Sequence, residues 1–402
     1  MPEANQILVI SNYFAPEMGA APRRITSLVE SLTERGIDTR VIAPLPNYPE
    51  GKVFKGFRRR LKHTTRSAHL RVDRLFIYPS KSKNPLLRVF SMLSFALALV
   101  CYLPFIQRKH ISKVIVQSPP LFVSFTAVFL VKRVLKKELV LNVSDLWPMS
   151  ATELGVLKKG GRLYRLLLRM ERFIYQNADR IAGQSEEIIA HITLTNRSAP
   201  KFVYRNLPKH LQAVEKSAAS EVHPKRRIVY AGLLGFAQGV AEVCRSVDFA
   251  SLNMEFHIYG KGMEEDEIKA ICSKQPQPAI FFHGAFQAKD ALAILKGFDA
   301  SLVPLTNRIY GAVPSKVYEL IHAEVPMIFA GGGEGAALVE EHQIGLTTAP
   351  GDMEALRATL QGFSALEPSE VNAMKDRMRI LTQQAFNYEL QFDRFLDFVQ
   401  SP

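Results

Sequence analysis

The sequence predicts an α/β protein in which one Rossmann-like architecture is used twice. Short apolar runs alternate with amphipathic helical stretches, and the alternation restarts midway along the 402 residues. A chain of this length holds two domains of ordinary size, and its 47% hydrophobic and 22% charged residues suit two sizeable cores. Strands alternating with helices imply a parallel sheet covered on both faces. Ligands of such sheets bind outside the carboxyl ends of the strands, so two of them facing each other would enclose a cleft.

Ile7 to Ser11 reads as a buried strand, followed by a loop with Pro16 and Gly19. Arg24 to Arg35 reads as an amphipathic helix, with Ile25, Leu28, Val29 and Leu32 on one face and Gly36 as its stop. Thr39 to Ala43 is the next strand. Val89 to Ile106 carries no charge, and its eighteen residues sit at the lower limit of a bilayer span. It reads as a transmembrane helix, a buried helix of the fold or an interfacial helix. Pro104 and the polar Ser91, Ser94 and Tyr102 favour a helix that packs on the sheet and shows some apolar surface to lipid. Val114 to Gln117 is a strand, Leu121 to Leu135 an apolar helix, and Leu139 to Val143 a strand leading to Asp145. Polar residues around Pro208 to Pro224 read as a linker. Beyond it, Ile228 to Ala231 is a strand that leads to a glycine-bearing loop, Gly232 to Gly239. Glu255 to Tyr259, Ala279 to His283, Ala300 to Val303 and Pro326 to Ala330 complete a second sheet.

Charge is unevenly placed. Through residue 200 there are 31 Lys/Arg against 14 Asp/Glu, and after it 20 against 24, within a net charge of +13. The first half therefore faces something anionic. Lys52 to Arg74 is the densest stretch, with Arg58, Arg59 and Arg60 in a row and Asp73 as its only acid. Nucleic acid, an anionic membrane surface and a merely solvated face are its three readings. Cys101, Cys244 and Cys272 are widely spaced, which suggests neither a zinc site nor a disulfide framework and fits a reducing cytosol. The opening MPEANQILVISNYF lacks the basic and long apolar regions of a secretory signal. No D-x-D ends a strand, and Glu264 to Glu267 reads as the acidic first turn of a solvated helix, so no metal is expected.

Tyr310 to Phe329 carries the most chemical information. It reads as a loop, a helix beginning near Pro314 and a short buried strand. Pro314 and Ser315 suit a helix start, where serine can cap free N–H groups. Lys316 and Glu319 stand three residues apart on one face. The helix N-terminus and the lysine suit an anion, while Glu319 suits sugar hydroxyls. A diphosphate joined to a ribose would satisfy all three, although an ordinary capped helix shows the same spacing.

Several motifs, in this order, resemble the GT-B glycosyltransferases of family 4, in the branch acting in capsular, O-antigen and exopolysaccharide biosynthesis. They are VISNYFAPEMGAAPRR, PLPNYPEGKVFKGF, DLWP at Asp145 to Pro148 and ADRI at Ala178 to Ile181. The second half adds YAGLLGFAQGV, IYGKG at Ile258 to Gly262 and VPSKVYE at Val313 to Glu319. The resemblance covers nearly the whole chain and implies GT-B architecture. It implies an acceptor-binding, membrane-facing domain over 1–205, a linker over 206–225 and a nucleotide-sugar-binding domain over 226–380. A C-terminal helix over 381–402 would pack back on the first domain.

The resemblance also implies roles. Glu319 would bind the nucleotide ribose, and Ser315 and Lys316 would lie beside the diphosphate, with Lys316 assisting bond breakage. Gly232, Gly235 and Gly239 match the loop that opens the nucleotide-binding half. Lys261 in IYGKG and Phe286 in FFHGAF, where a strand end reads the base, complete the donor contacts; His283 there is structural. Gly19 matches the loop that approaches the donor phosphates and the acceptor. Asp145 stands where this branch places a polar residue near the reacting sugar, with helix capping as the alternative. The chain departs from the family at Gly311, where the first glutamate of E-x7-E is expected, and at Phe236, where a basic residue often faces the phosphates.

A retaining, metal-independent hexosyl- or N-acetylhexosaminyl-transferase is what these roles imply, with a UDP-sugar donor as substrate and no cofactor. Its acceptor would be a polyprenyl-diphosphate-linked or other glycan. Its surface partner would be an anionic membrane rather than nucleic acid, and its place the cytoplasm, peripheral on the inner face of the cell membrane. A nucleotide-sugar epimerase shares the architecture but has no need of a basic, apolar first half. A non-catalytic basic protein that binds lipid or nucleic acid is the other alternative, kept open by Phe236 and Gly311.

Overall fold

The computed structural model describes residues 6–80, 82, 85–209, 223–274, 278–287 and 290–401. The chain forms two compact units, the first running to Asn206 and resuming at Phe392, the second Leu207–Gln391. Residues 210–222 of the expected linker lie outside the described residues.

Eight strands form the sheet of the first unit. They are β1 (Gln6–Ile10), β2 (Thr39–Pro44), β3 (Lys62–Arg66), β4 (Leu70–Leu75), β5 (Ile111–Ser118), β6 (Glu138–Val143), β7 (Arg180–Gly183) and β8 (Lys201–Val203). Their order is β3-β4-β2-β1-β5-β6-β7-β8, and only β3 runs antiparallel to its neighbour. Between them lie α1 (Ala20–Glu34), α2 (Pro85–Tyr102), α3 (Leu121–Leu130), α4 (Met149–Glu153), α5 (Arg162–Gln176) and α6 (Glu186–Thr193). The apolar run in β1 is buried because both faces of a parallel sheet are covered. Helix α1 begins four residues before Arg24, with Gly19 at its N-cap position.

The basic stretch from Lys52 to Arg74 is not one solvated face. Its end forms the β3–β4 hairpin, in which buried Asp73 pairs with Arg40 at 2.7 Å and Arg71 at 3.1 Å and accepts the Thr64 hydroxyl at 2.8 Å. Arg74 is also buried, whereas Arg58, Arg59 and Arg60 stay at the surface. Helix α2 packs on α3, and α3 on α5. Among the described residues, one segment, Leu87–Phe105, is long and apolar enough to cross a membrane, with mean hydropathy 1.8. Only 28% of it is buried inside the protein.

The second unit holds β9 (Arg226–Leu234), β10 (Met254–Gly262), β11 (Ile280–Gly284), β12 (Ala300–Pro304), β13 (Met327–Ala330) and β14 (Gly345–Thr348). They are parallel in the order β11-β10-β9-β12-β13-β14. Strand order reverses between β9 and β12 here, and between β1 and β5 in the first sheet, which marks each switch point as a ligand position. Its helices are α7 (Val240–Ser246), α8 (Glu265–Ser273), α9 (Ala291–Lys296), α10 (Ser315–Ala323), α11 (Glu334–Glu341), α12 (Met353–Ser364) and α13 (Pro368–Gln383). Helix α14 (Tyr388–Gln400) starts in the second unit, and from Phe392 it belongs to the first. There Phe395 stacks on Tyr204 with centroids 4.4 Å apart, and Arg180 donates to the Ser401 carbonyl at 2.6 Å.

Candidate active site

The second switch point brings Gly232, Ser315, Lys316 and Glu319 together. Strand β9 continues to Leu234, so Gly232 lies in the strand and not in the loop expected to begin there. A Cβ on Gly232 would stand 2.7 Å from Lys316 Nζ and 3.2 Å from the Tyr230 hydroxyl. The absent side chain is therefore the space that the lysine head fills. Lys316 Nζ also lies 5.1 Å from the centre of the Tyr230 ring, whose face attracts a cation. Burial holds the Lys316 pKa below the ordinary lysine value, and Glu319 offsets part of that shift. Ser315 does not cap the helix. Pro314 takes the N-cap position without a side-chain hydrogen bond, and the Ser315 hydroxyl reaches forward to Glu319 Oε1 at 3.4 Å. The first turn of α10 thus presents backbone N–H groups uncapped by any side chain, a partly buried ammonium and a carboxylate. Such a set suits a diphosphate and the hydroxyls of a sugar.

The glycine loop is more closed than its sequence suggests. Gly235 O accepts from Gln238 N at 2.9 Å and Gly239 N at 3.3 Å. Gly239 has φ 62°, and a Cβ there would stand 2.8 Å from Thr306 Cγ2. The next amide, Val240 N, donates to Glu264 Oε2 at 3.0 Å. Glu264 is thus no solvated first-turn acid: it is buried and serves the N-terminus of α7. Phe236 is 68% exposed on this loop, and Lys261 on β10 is exposed beside it. Phe286 meets Tyr259 edge-on at 6.4 Å, and Tyr259 stacks on His283 at 4.3 Å. His283 Nε2 lies 3.0 Å from His257 Nδ1, and burial pushes the His257 pKa down to about 4. Gly311, where the family pattern expects a carboxylate, has φ 82°. A glutamate there would carry about 1–2 kcal/mol of backbone strain.

The first unit contributes Gly19 and Asp145 from the expected set. Gly19 has φ 136°, and a Cβ would stand 3.0 Å from Tyr48 Cε1, so only glycine passes this turn without displacing the tyrosine. The loop is held by Glu17, a member of the VISNYFAPEMGAAPRR motif to which the sequence gives no role of its own. Its Oε1 accepts from Asn47 N at 2.8 Å and Tyr48 N at 2.9 Å. Asp145 accepts the Ser150 hydroxyl at 3.1 Å across the start of α4, and burial raises its pKa above the usual carboxylate value. Arg24, the last residue of the same motif, is a second one to which the sequence gives no role at the site. It is 6% exposed and donates to the side-chain oxygens of Asn142 and Gln184, both neutral amides. Its Nε and Asn142 Nδ2 are buried with no hydrogen-bond partner. Both residues lie in the VISNYFAPEMGAAPRR motif, but the partners that hold them come from distant segments, so the motif alone gives neither a role.

Comparison with known proteins agrees with this architecture. Residues 19–205 match the family model described as Glycosyl transferase 4-like domain, and residues 225–364 that of Glycosyl transferases group 1. A curated relative, the Probable glycosyltransferase WbjE of Pseudomonas aeruginosa, is 25% identical over 268 residues. That match spans 64% of this chain and 66% of the relative's length. Among solved structures, sucrose-phosphate synthase from Thermosynechococcus elongatus superposes with TM-score 0.73 at 14% identity, over 98% of both chains. The trehalose-6-phosphate structure from E. coli, bound with UDP-2-fluoro glucose, does so with TM-score 0.71 at 14% identity, over 99% of both. The two sheets with their switch points are those of the GT-B fold. The chain belongs to the GT-B glycosyltransferases of the family 4 type.

Proposed function

We propose that the protein transfers a hexosyl or N-acetylhexosaminyl group from a UDP-linked donor to a lipid-diphosphate-linked glycan. On this reading it acts in surface polysaccharide synthesis at the inner face of the cell membrane. The observation that carries the donor side is Lys316 Nζ seated over Gly232 at the uncapped start of α10. The C1–O bond to the diphosphate breaks, and negative charge grows on the leaving oxygen. Lys316 and the α10 N–H groups stabilise that charge, the kind of fixed electrostatic help that lowers such barriers most. Glu319 accepts hydrogen bonds from the ribose hydroxyls. The leaving phosphate takes the proton of the acceptor hydroxyl, whose oxygen forms the new C1–O bond on the same face, with retention. UDP and the extended glycan are the products. On this reading Lys316 supplies the positive charge that a metal ion would otherwise bring to the diphosphate.

Two supports come from relatives. The E. coli neighbour holds a UDP-sugar analogue, and the curated relative bears a glycosyltransferase name. The test is UDP release by the purified protein from a panel of UDP-sugars, with and without a polyprenyl-diphosphate sugar. Acceptor-dependent release from at least one donor is expected. Release that never depends on an acceptor, together with C2 inversion of the sugar, would replace transfer by epimerisation.

A further inference from the structure

Helix α2 is apolar on the wrong side for a helix of a water-bathed unit. Phe95 and Leu99 are fully buried, whereas Phe90 is 55% and Leu97 63% exposed, with Leu93 and Val100 also open. These four recur at helical spacing, so they form one outward stripe about 15 Å long at 1.5 Å per residue. Helix α5 lies in the same row of helices, joined to α2 through α3. It buries Leu167, Glu171, Ile174 and Tyr175 and turns Arg162, Arg165 and Arg169 outward. Leu163 and Leu166 are exposed among those arginines. Glu171 is the single acid in the two helices, and it is buried.

We propose that the outer face of α2 and α5 is a bilayer-docking surface, with α2 lying in the plane of the membrane interface and the α5 arginines holding anionic lipid headgroups. Charge decides the occupant. Two copies of this face would set arginine rows against each other, whereas an anionic bilayer offers apolar depth for the stripe and phosphate for the arginines. The inward packing of Phe95 and Leu99 decides the posture, because a helix with one face held by its own unit cannot be ringed by lipid. Exposed Arg58, Arg59 and Arg60 add charge near one end, where Lys62 Nζ of the adjoining hairpin sits 4.4 Å from the Tyr102 ring of α2. The proposal rests on the transfer reading only for the purpose of the docking, which is to reach a lipid-linked acceptor.

The test uses the full chain and vesicles of phosphatidylcholine with or without phosphatidylglycerol. Flotation should require phosphatidylglycerol, and replacing Arg162, Arg165 and Arg169 together by glutamine should weaken partitioning roughly 100-fold. Leu97→Glu should abolish it at any salt concentration. Phe90→Trp and Val100→Trp, read against the parent signal, should be quenched equally by lipids brominated at one depth. Unequal quenching would overturn the in-plane posture in favour of a span. Absence of flotation, flotation that survives both sets of substitutions, or a concentration-dependent dimer that hides the stripe would overturn the docking surface. UDP binding, measured by calorimetry on each variant, should not change. Its absence from the parent would sink the donor reading and leave the flotation result standing.

Discussion

Removing the Lys316 ammonium tests the charge assignment directly, because its Nζ is the atom nearest the place a Gly232 Cβ would take. Lys316→Ala should lower kcat by about 100- to 1000-fold, the usual effect of losing one preorganised charge contact, and weaken UDP binding less. Steady-state kinetics at saturating donor check this, and near-normal turnover would make the lysine a structural residue. The pH dependence has a definite sign. Burial lowers the Lys316 pKa, so the unfolded chain holds that proton more tightly and this group's contribution to stability rises with pH up to the ordinary 10.5. Turnover, which needs the charged form, falls over the same window. Glu319→Ala should weaken UDP binding by about 1.5–3 kcal/mol, and Glu319→Gln by less, as measured by calorimetry. Asn142→Asp would give buried Arg24 a counter-charge and remove an unsatisfied amide N–H2. Melts in denaturant should show it more stable by about 1–3 kcal/mol. Of the site, Lys316 and Glu319 were legible because helix spacing alone puts them on one face. Glu17, Arg24 and Glu264 were not, because each meets its partners only after distant segments fold together.

At the scale of elements, apolar runs marked the buried parallel strands within a few residues. Their pattern is continuous because both faces are covered. The hairpin of β3 and β4 is not legible in the sequence, for the opposite reason. Its β3 lies at a sheet edge and holds no apolar residue, while β4 alternates charge with apolar residues and hides Asp73 among arginines. Gly232 reads as a loop residue because glycine ordinarily punctuates chains, yet it stays in β9 and makes room for a side chain from α10. The final helix depends on a few rings. Phe395 is buried and stacks on Tyr204, so Phe395→Ala should destabilise the first unit by about 3–5 kcal/mol. Hydrogen exchange of amides in β7 and β8 would report it, and unchanged protection there would show that the helix end adds little.

For the whole molecule, the excess of basic residues in the first half is a statement about surroundings rather than about fold. Part of it is internal, through Arg24, Arg40, Arg74 and Arg180, and much of the rest faces outward. Activity should survive EDTA largely intact, since Lys316 and the helix start provide the positive charge that a bound ion would bring. Complete loss on chelation, restored by a divalent ion, would reveal a metal site. The route of the chain has a temporal consequence as well. The first unit is finished only by residues from Phe392 onward, some 185 residues after it is otherwise complete at Asn206. At roughly 5–20 residues per second, the ribosome needs about 10–40 s to supply them. During that interval Tyr204 and Phe202 await the rings of α14, and the nascent chain shows an apolar surface that a chaperone can hold. Synthesis must therefore run past Phe392 and the rest of α14 before the unit made first can become native.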